Sequence, residues 1–185
     1  MKRVFIGIRP TPETLDQLVH LQEALTPEIL GPKARPVPAP SLHLTLHFIG
    51  ETPPSRVEEL RRALFREWAT LSRTGVFTQT LDEWALLPKP DKPRVLALAA
   101  KGPCPELAQW VAEVGKRLEA LGFRTEKRKN FLPHVTLARL SKAPSGPLPE
   151  VTSLNFHVAN VVLFESVPGE SPTYLPIQEF RLAHP

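Results

Sequence analysis

Two short segments of this chain alternate between apolar and polar residues, which is the pattern of a β-strand with one buried face. The first lies within Leu42–Gly50 and the second within Phe131–Leu140. The leucine and valine residues between the polar positions are expected to face a hydrophobic core. The residues expected to share the opposite face are His43, Thr45 and His47 in the first segment, and His134, Thr136 and Ala138 in the second.

Three segments carry apolar residues at the spacing of amphipathic helices. One begins at Thr11, whose hydroxyl suits a helix N-cap and which is followed by Pro12, a residue favoured in the first turn. The others cover residues 55–71 and 105–121, and Gly122 is placed to end the last one. These segments are predicted to be helices that lay one apolar face on the core.

Further apolar runs predict strands at residues 2–9, 75–87, 94–100, 154–165 and 173–182. Five prolines in residues 27–40 predict a stiff, irregular connection, and residues 141–150 are predicted to form a loop. The first histidines of the two alternating segments lie 91 residues apart, and each segment follows a helix and a loop. This order indicates an internal duplication at the level of architecture.

Composition and charge exclude several classes of protein. Apolar residues make up 42% and charged residues 23% of the 185-residue chain, so disorder is excluded as its main character. No run approaches the roughly 20 apolar residues of a membrane helix, and the N-terminal apolar run is too short for a signal peptide. A cytoplasmic location without a membrane partner is therefore expected. The net charge of +4 permits an anionic partner without proving one.

The single cysteine, Cys104, excludes an internal disulfide and a cysteine-based zinc site. Cys104 lies between Pro103 and Pro105. This position favours the interpretation that Cys104 begins a helix over the interpretation that it is a catalytic thiol. Two histidines without an acidic residue at ligand spacing are also a poor zinc site. No metal ion is therefore expected.

The motif His-φ-Thr-φ, where φ is apolar, occurs twice, at His43–Leu46 and at His134–Leu137. Since residues i and i+2 of a strand share a face, each motif presents an imidazole beside a hydroxyl. Histidine titrates near pH 6.5, so a neutral imidazole can take a proton from water while a charged one gives a proton to a leaving oxygen. The threonine hydroxyls suit the non-bridging oxygens of a phosphate. The spacing does not distinguish the acid from the base.

Other side chains have two interpretations each. His47 either reaches the site formed by the two motifs, together with His43 and Thr45, or is a solvated residue at the strand end. The second interpretation is favoured. Phe48 and Phe131 stack on a nucleobase or belong to the core, and the core is favoured. The basic segment Arg124–Lys129 follows an RNA backbone or is a solvated loop. The histidines without an assigned role are His20, His157 and His184, and the tryptophans expected in the core are Trp68, Trp84 and Trp110.

With its paired motifs, the sequence resembles the two-histidine phosphoesterases. Within them it is most similar to the bacterial and archaeal RNA 2′,3′-cyclic phosphodiesterases, originally named 2′-5′ RNA ligases. The resemblance is carried by Arg3–Ile8, Leu42–Gly50, Phe131–Arg139 and Leu163–Ser166, with Tyr174 after them. Their order and spacing cover essentially the whole chain, and neither histidine motif departs from the family pattern.

The resemblance implies an α+β fold with two pseudo-symmetric lobes, whose antiparallel sheets line a central groove with helices outside. The two lobes would form one domain spanning residues 1–185. The implied activity is the metal-independent opening of a 2′,3′-cyclic phosphate on RNA to leave a 2′-phosphate, with no cofactor. A weak reverse reaction would join RNA ends through a 2′-5′ bond. The expected partner is RNA with cyclic phosphate ends, such as tRNA fragments, and the expected oligomeric state is a monomer.

The resemblance also implies a role for each motif residue. His43 is the proton donor to the departing 3′ oxygen, and His134 is the proton acceptor that activates water. Thr45 and Thr136 bind the phosphate, and Arg139 matches the family arginine that offsets its charge. Two alternatives stay open: the same fold acting on small cyclic nucleotides or another phosphodiester, and a non-catalytic RNA-binding module.

Overall fold

The computed structural model describes residues 1–71, 75–124, 131–169 and 172–182. The first part of the chain forms β1 (Lys2–Ile8), α1 (Pro12–Glu23), α2 (Pro27–Leu30), β2 (Arg35–Pro36), β3 (Leu44–Thr52) and α3 (Pro54–Leu71). The second part forms β4 (Phe77–Leu81), β5 (Glu83–Leu87), β6 (Val95–Ala99), α4 (Pro105–Ala120), β7 (His134–Arg139), β8 (Leu154–Val158), β9 (Asn160–Val167) and β10 (Thr173–Arg181).

The helix boundaries follow the predicted signals. The Thr11 hydroxyl oxygen accepts a hydrogen bond from the Thr14 amide, so Thr11 is the N-cap of α1, with Pro12 in the first turn. The end of α4 is marked by Gly122, whose φ of +74° lies in the left-handed region that favours glycine. Both ends are therefore set by local chemistry that is visible in the sequence.

Eight of the described strands form one antiparallel sheet, in the order β10-β9-β1-β3-β7-β6-β5 with β2 paired to β7. The strands β4 and β8 form a second, two-stranded sheet. The C-terminal strands β9 and β10 return beside β1, so neither half of the sequence forms its part of the sheet alone. The predicted α+β fold with antiparallel strands is confirmed, and its two halves meet where β3 lies beside β7.

The core lies between the large sheet and the helices α1, α3 and α4. It joins Val4, Ile6 and Ile8 of β1 to apolar residues of all three helices. The Trp110 side chain is 1% exposed, which confirms its predicted place in the core. Trp68 and Trp84 pack against the same core at its margin, where their indole N–H groups donate hydrogen bonds to backbone carbonyls. No described helix is long and apolar enough to cross a bilayer.

Two segments predicted as single strands are each divided between the two sheets. Residues 75–87 break at Asp82, where β4 ends in its pairing with β8 and β5 begins in its pairing with β6. Residues 154–165 break in the same way at Ala159, between β8 and β9. The connection 27–40 contains α2, β2 and the start of a short 3₁₀ turn, Ala39–Ser41. Residues 125–130 and 183–185, which include most of the basic segment and His184, lie outside the described residues.

The burial of Trp110 predicts a large effect on stability. Its indole contacts Phe77 and Trp68 edge-on, with ring centroids 5.2 and 6.0 Å apart. We expect Trp110→Ala to lower the free energy of unfolding by about 3–5 kcal/mol. The matched control is Phe65→Ala on α3, because the Phe65 side chain is 66% exposed and should change stability by less than ~0.5 kcal/mol. Urea unfolding measures both, and equal losses would contradict this account of the core.

Candidate active site

The two His-Thr motifs lie side by side in the large sheet. Within the part of the chain that the structure describes, β3 and β7 are joined by one antiparallel residue pair, Leu44 with Val135, and both side chains are fully buried. In an antiparallel pair, the flanking residues also lie opposite each other, residue 43 across from 136 and residue 45 across from 134. Because they flank a pair that faces the core, both imidazoles and both hydroxyls lie on the other face, as one cluster.

The two imidazole rings are held by equivalent hydrogen bonds. His43 Nδ1 lies 2.8 Å from the carbonyl oxygen of Ser41, and His134 Nδ1 lies 2.8 Å from that of Leu132. A carbonyl can only accept, so Nδ1 carries the hydrogen in both rings and Nε2 is the nitrogen that gains or loses a proton. His43 Nε2 lies 3.1 Å from Thr45 Oγ1 and accepts that hydroxyl's hydrogen when the ring is neutral.

A β-bulge at Leu46 changes which residues of β3 share the face of Thr45. Thr45 pairs with Gly7 but His47 pairs with Ile6, so Leu46 is the extra residue and the alternation shifts by one. His47 therefore points to the helix side, where its Nε2 lies 2.8 Å from the Val111 carbonyl oxygen. The expectation that His47 shares the face of His43 and Thr45 is wrong. The solvated interpretation is wrong as well, because the ring contacts α4.

The same bulge brings Phe48 onto the face of the sheet that carries the imidazoles and hydroxyls, which we call the site face. Phe48 pairs with Phe5, which lies two residues from Gly7 on β1 and so shares its face. The Phe48 ring is half-buried, packs beside Phe5 and lines the cavity next to His43, with the Arg3 guanidinium 5.0 Å from its centroid. By contrast, Phe131 packs against the main core, as predicted.

An equivalent bulge occurs at Leu137 in β7. Thr136 pairs with Ala97, Ala138 with Leu96 and Arg139 with Val95, so Leu137 is the extra residue. Ala138 is therefore fully buried, and the expectation that it shares the face of His134 and Thr136 is wrong. Arg139 takes that place and is exposed on the site face. Without the bulge, simple alternation would turn the Arg139 side chain toward the core.

The backbone of the second bulge is held from outside the sheet. The Leu137 carbonyl oxygen accepts hydrogen bonds from the Val37 amide at 2.8 Å and from Gln22 Nε2 at 2.6 Å. Gln22 also bonds the Val37 carbonyl oxygen at 2.9 Å. Gln22 is a polar residue beside the apolar residues of α1, and its side-chain amide gives the bulged Leu137 carbonyl a second hydrogen-bond donor beside the Val37 amide.

A cavity of about 240 Å³ opens beside His43. His43 lines it just before β3, as do Thr45 and Phe48 of β3, Arg139 of β7, Arg3 of β1 and Tyr174 of β10. Arg139 Nη2 donates a hydrogen bond of 3.4 Å to the Tyr174 hydroxyl. Two guanidinium groups and three hydroxyls, those of Thr45, Ser166 and Tyr174, suit an anionic ligand, and the Phe48 ring suits a planar group on it.

The His43 ring is enclosed by aromatic side chains from three other strands. Ring centroids of Tyr174, Phe5 and Phe164 lie 4.7, 4.9 and 5.8 Å from that of His43. Burial lowers the pKa of His43 to about 4, aided by the nearby charges of His134 and Arg139, although the Ser41 carbonyl acts in the opposite direction. The free protein therefore holds a neutral His43 at pH 7, and an anion bound beside it would raise that pKa.

The aromatic residues around His43 are the part of the site that pattern analysis did not assign. They come from β1, β9 and β10, far from either motif in sequence. Their segments are nevertheless among those that carry the family resemblance, which was the available signal.

The other reactive side chains considered in the sequence lie outside the cavity beside His43. Cys104 caps α4, and burial raises the pKa of its thiol, which favours the helix-entry interpretation. His20 is exposed on α1 beside Glu23, and His157 pairs with Thr78 on the two-stranded sheet. Among the described residues, no three His, Cys, Asp or Glu side chains are grouped to hold a metal ion.

Comparison with known proteins agrees with this arrangement. The family described as LigT-like phosphoesterase matches residues 8–97 and 99–174. The chain therefore belongs to the LigT-like phosphoesterase family and is an enzyme of the phosphoesterase class.

Its relatives include the RNA 2′,3′-cyclic phosphodiesterase of Aeropyrum pernix, 32% identical over 77% of this chain and 83% of that protein. The enzyme of the same name from Escherichia coli is 30% identical over 98% of this chain and 97% of that protein. The crystal structure of E. coli LigT complexed with 3′-AMP superposes with a TM-score of 0.74 at 25% identity, covering 99% of each chain.

The lowered pKa of the half-buried His43 ring predicts a pH-dependent stability. Between pH 6.5 and 4 the unfolded chain binds a proton on His43 that the folded chain does not, so the unfolding free energy falls as the pH is lowered. The expected loss at pH 4 is about 2–3 kcal/mol. Urea unfolding of His43→Gln should lack this part of the pH dependence, whereas His20→Gln should keep it. Identical pH profiles for wild type and His43→Gln would show that the pKa is not shifted.

Proposed function

We propose that this chain hydrolyses RNA 2′,3′-cyclic phosphodiester ends to 2′-phosphomonoesters by general acid and base catalysis with two histidines. The observation that carries the proposal is the pairing of Leu44 with Val135, which gathers two imidazole and hydroxyl pairs on one face with Arg139 beside them. The names of the A. pernix and E. coli relatives support the same substrate.

In the proposed reaction, His134 Nε2 takes a proton from water as its oxygen attacks the phosphorus. The bond between phosphorus and O3′ breaks, and His43 Nε2 gives its proton to O3′, which leaves the phosphate on O2′. Displacement at phosphorus is in line, so the two imidazoles act on opposite sides of the phosphorus atom. The carbonyls of Ser41 and Leu132 keep each ring oriented throughout. Thr45 and Thr136 donate hydrogen bonds to the non-bridging oxygens, and Arg139 offsets their charge.

The low pKa of His43 gives substrate binding a second role. His43 must be protonated to act as the acid, yet burial and the charges of His134 and Arg139 disfavour the charged ring in the free protein. A bound phosphate diester brings one negative charge beside these groups and raises the pKa of His43. The acid is therefore charged mainly when substrate is present, and its proton lies next to the oxygen that needs it.

The proposed mechanism uses no metal ion and no cofactor, because the two imidazoles supply both proton transfers and the threonines with Arg139 supply the charge stabilisation. The same geometry accommodates the reverse reaction. If the 5′-hydroxyl of a second RNA replaces water at His134, attack on the cyclic phosphate forms a 2′-5′ bond and releases O3′ in the same way.

The first test is removal of each histidine. His43→Ala and His134→Ala should each lower turnover of an oligonucleotide ending in a 2′,3′-cyclic phosphate by about 10²–10⁴-fold while the fold survives. His20→Ala is the matched control, because its side chain is exposed on α1, and it should retain full activity. Wild-type turnover should persist in EDTA and yield a 2′-phosphate. Retained activity in either site variant would count against the proposal, and loss in EDTA would overturn its metal independence.

The second test separates acid from base. A phosphodiester with p-nitrophenol as leaving group needs no proton on departure. We therefore expect His43→Ala to lose less than ~10-fold on this substrate, whereas His134→Ala should still lose about 10²–10⁴-fold. The absorbance of the released nitrophenolate measures both rates. The opposite pattern would exchange the roles of the two histidines.

A further inference from the structure

A second and larger groove adjoins the cavity beside His43. Its volume is about 900 Å³, against about 240 Å³ for the cavity. The start of α1, the residues before His43 and the outer strand β10 form its walls. Tyr174 lines both spaces, and Leu42, which lines the groove, directly precedes His43. We call this space the β10 groove.

The β10 groove lies on the side of the site where the body of the RNA must be. In the proposed reaction His43 protonates O3′, and O3′ stays on the terminal ribose of the same RNA. The nucleotides before that ribose therefore leave the site on the His43 side, whereas water approaches from the His134 side. We propose that the β10 groove binds the nucleotides that precede the cyclic phosphate, an inference that rests on the proposed function.

The lining of the groove suits a single strand of RNA. Tyr174, Pro40 and the 47% exposed Leu175 offer flat or apolar surfaces on which bases can stack. Arg9 and Arg181 supply cations for the backbone phosphates. The groove therefore combines stacking surfaces with a few phosphate contacts.

The carboxylates of the groove limit how much of the binding is electrostatic. Asp16 and Glu179 also line it, and Glu179 Oε1 lies 3.6 Å from Arg181 Nε. An RNA phosphate that contacts Arg181 must compete with Glu179. We expect one or two phosphate contacts, so stacking supplies most of the affinity and the salt dependence is shallow.

Arg9, which directly follows β1, can be replaced without disturbing the backbone there. Its backbone N–H donates to Asn160 Oδ1 at 3.0 Å, and Asn160 Nδ2 donates to its carbonyl oxygen at 3.0 Å. Both bonds use backbone atoms, so they survive the loss of the side chain. The guanidinium lies 5.7 Å from the centroid of Phe164, beside the aromatic cluster around His43. Arg181, on the outer strand with a side chain 85% exposed, provides a second variant that does not touch that cluster.

The test compares kcat/KM on adenosine 2′,3′-cyclic phosphate and on a hexanucleotide ending in the same cyclic adenylate. Wild type should prefer the hexanucleotide by about tenfold or more. Arg9→Ala and Arg181→Ala should each reduce this preference by about 3–10-fold, mainly through KM, and flatten the slope of log kcat/KM against log salt by about 0.7 for each lost phosphate contact. Lys89→Ala is the matched control, since Lys89 is exposed beyond β5 at the opposite edge of the sheet, and it should keep the preference.

Equal kcat/KM for the two substrates in wild type would overturn the groove proposal, and so would equal losses on both substrates in the two arginine variants. If wild type turns over neither substrate, the proposed function fails instead. Fluorescence anisotropy with a labelled hexanucleotide ending in a 2′-phosphate then tests whether the β10 groove binds RNA. Weaker binding by both arginine variants than by Lys89→Ala supports it, and equal binding by all three overturns it.

Discussion

Leu44 and Val135 join the two halves of the large sheet, and the position of every motif side chain depends on this pair. Both residues are fully buried and face the helices. Their burial fixes the register, because a slip by one residue would turn both apolar side chains to the site face and both hydroxyls to the core. The same hydrophobic contact that stabilises the junction therefore brings together two imidazoles from segments about half a chain apart.

The alternating pattern predicts the face of His43, Thr45, His134 and Thr136 correctly, since each follows or precedes a buried apolar residue. The prediction fails two residues after the threonine of each motif, at His47 and at Ala138. The cause is the same in both strands, because an extra leucine is inserted into the ladder and a leucine is what regular alternation would also place there. Only the partner strands, β1 and β6, reveal the insertion.

The sequence pattern also does not show that residues 75–87 and 154–165 are each divided between two sheets. The reason is related. Both segments have the composition of strands throughout, and what changes at Asp82 and at Ala159 is the identity of the neighbouring strand. Sheet membership is a non-local property that local patterns do not carry. The setting of His43 is non-local in the same sense, since Phe5, Phe164 and Tyr174 reach it from strands at both ends of the chain.

The two bulges occupy the same position in each motif, yet they expose different residues. In one half the bulge presents the aromatic ring of Phe48, and in the other it presents the guanidinium of Arg139. A fully symmetric site would offer a bound ligand the same neighbours beside both motifs. Because the first bulge adds a ring and the second adds a guanidinium, the duplicated scaffold presents unlike chemistry beside its two motifs, so a ligand with unlike ends has one preferred orientation.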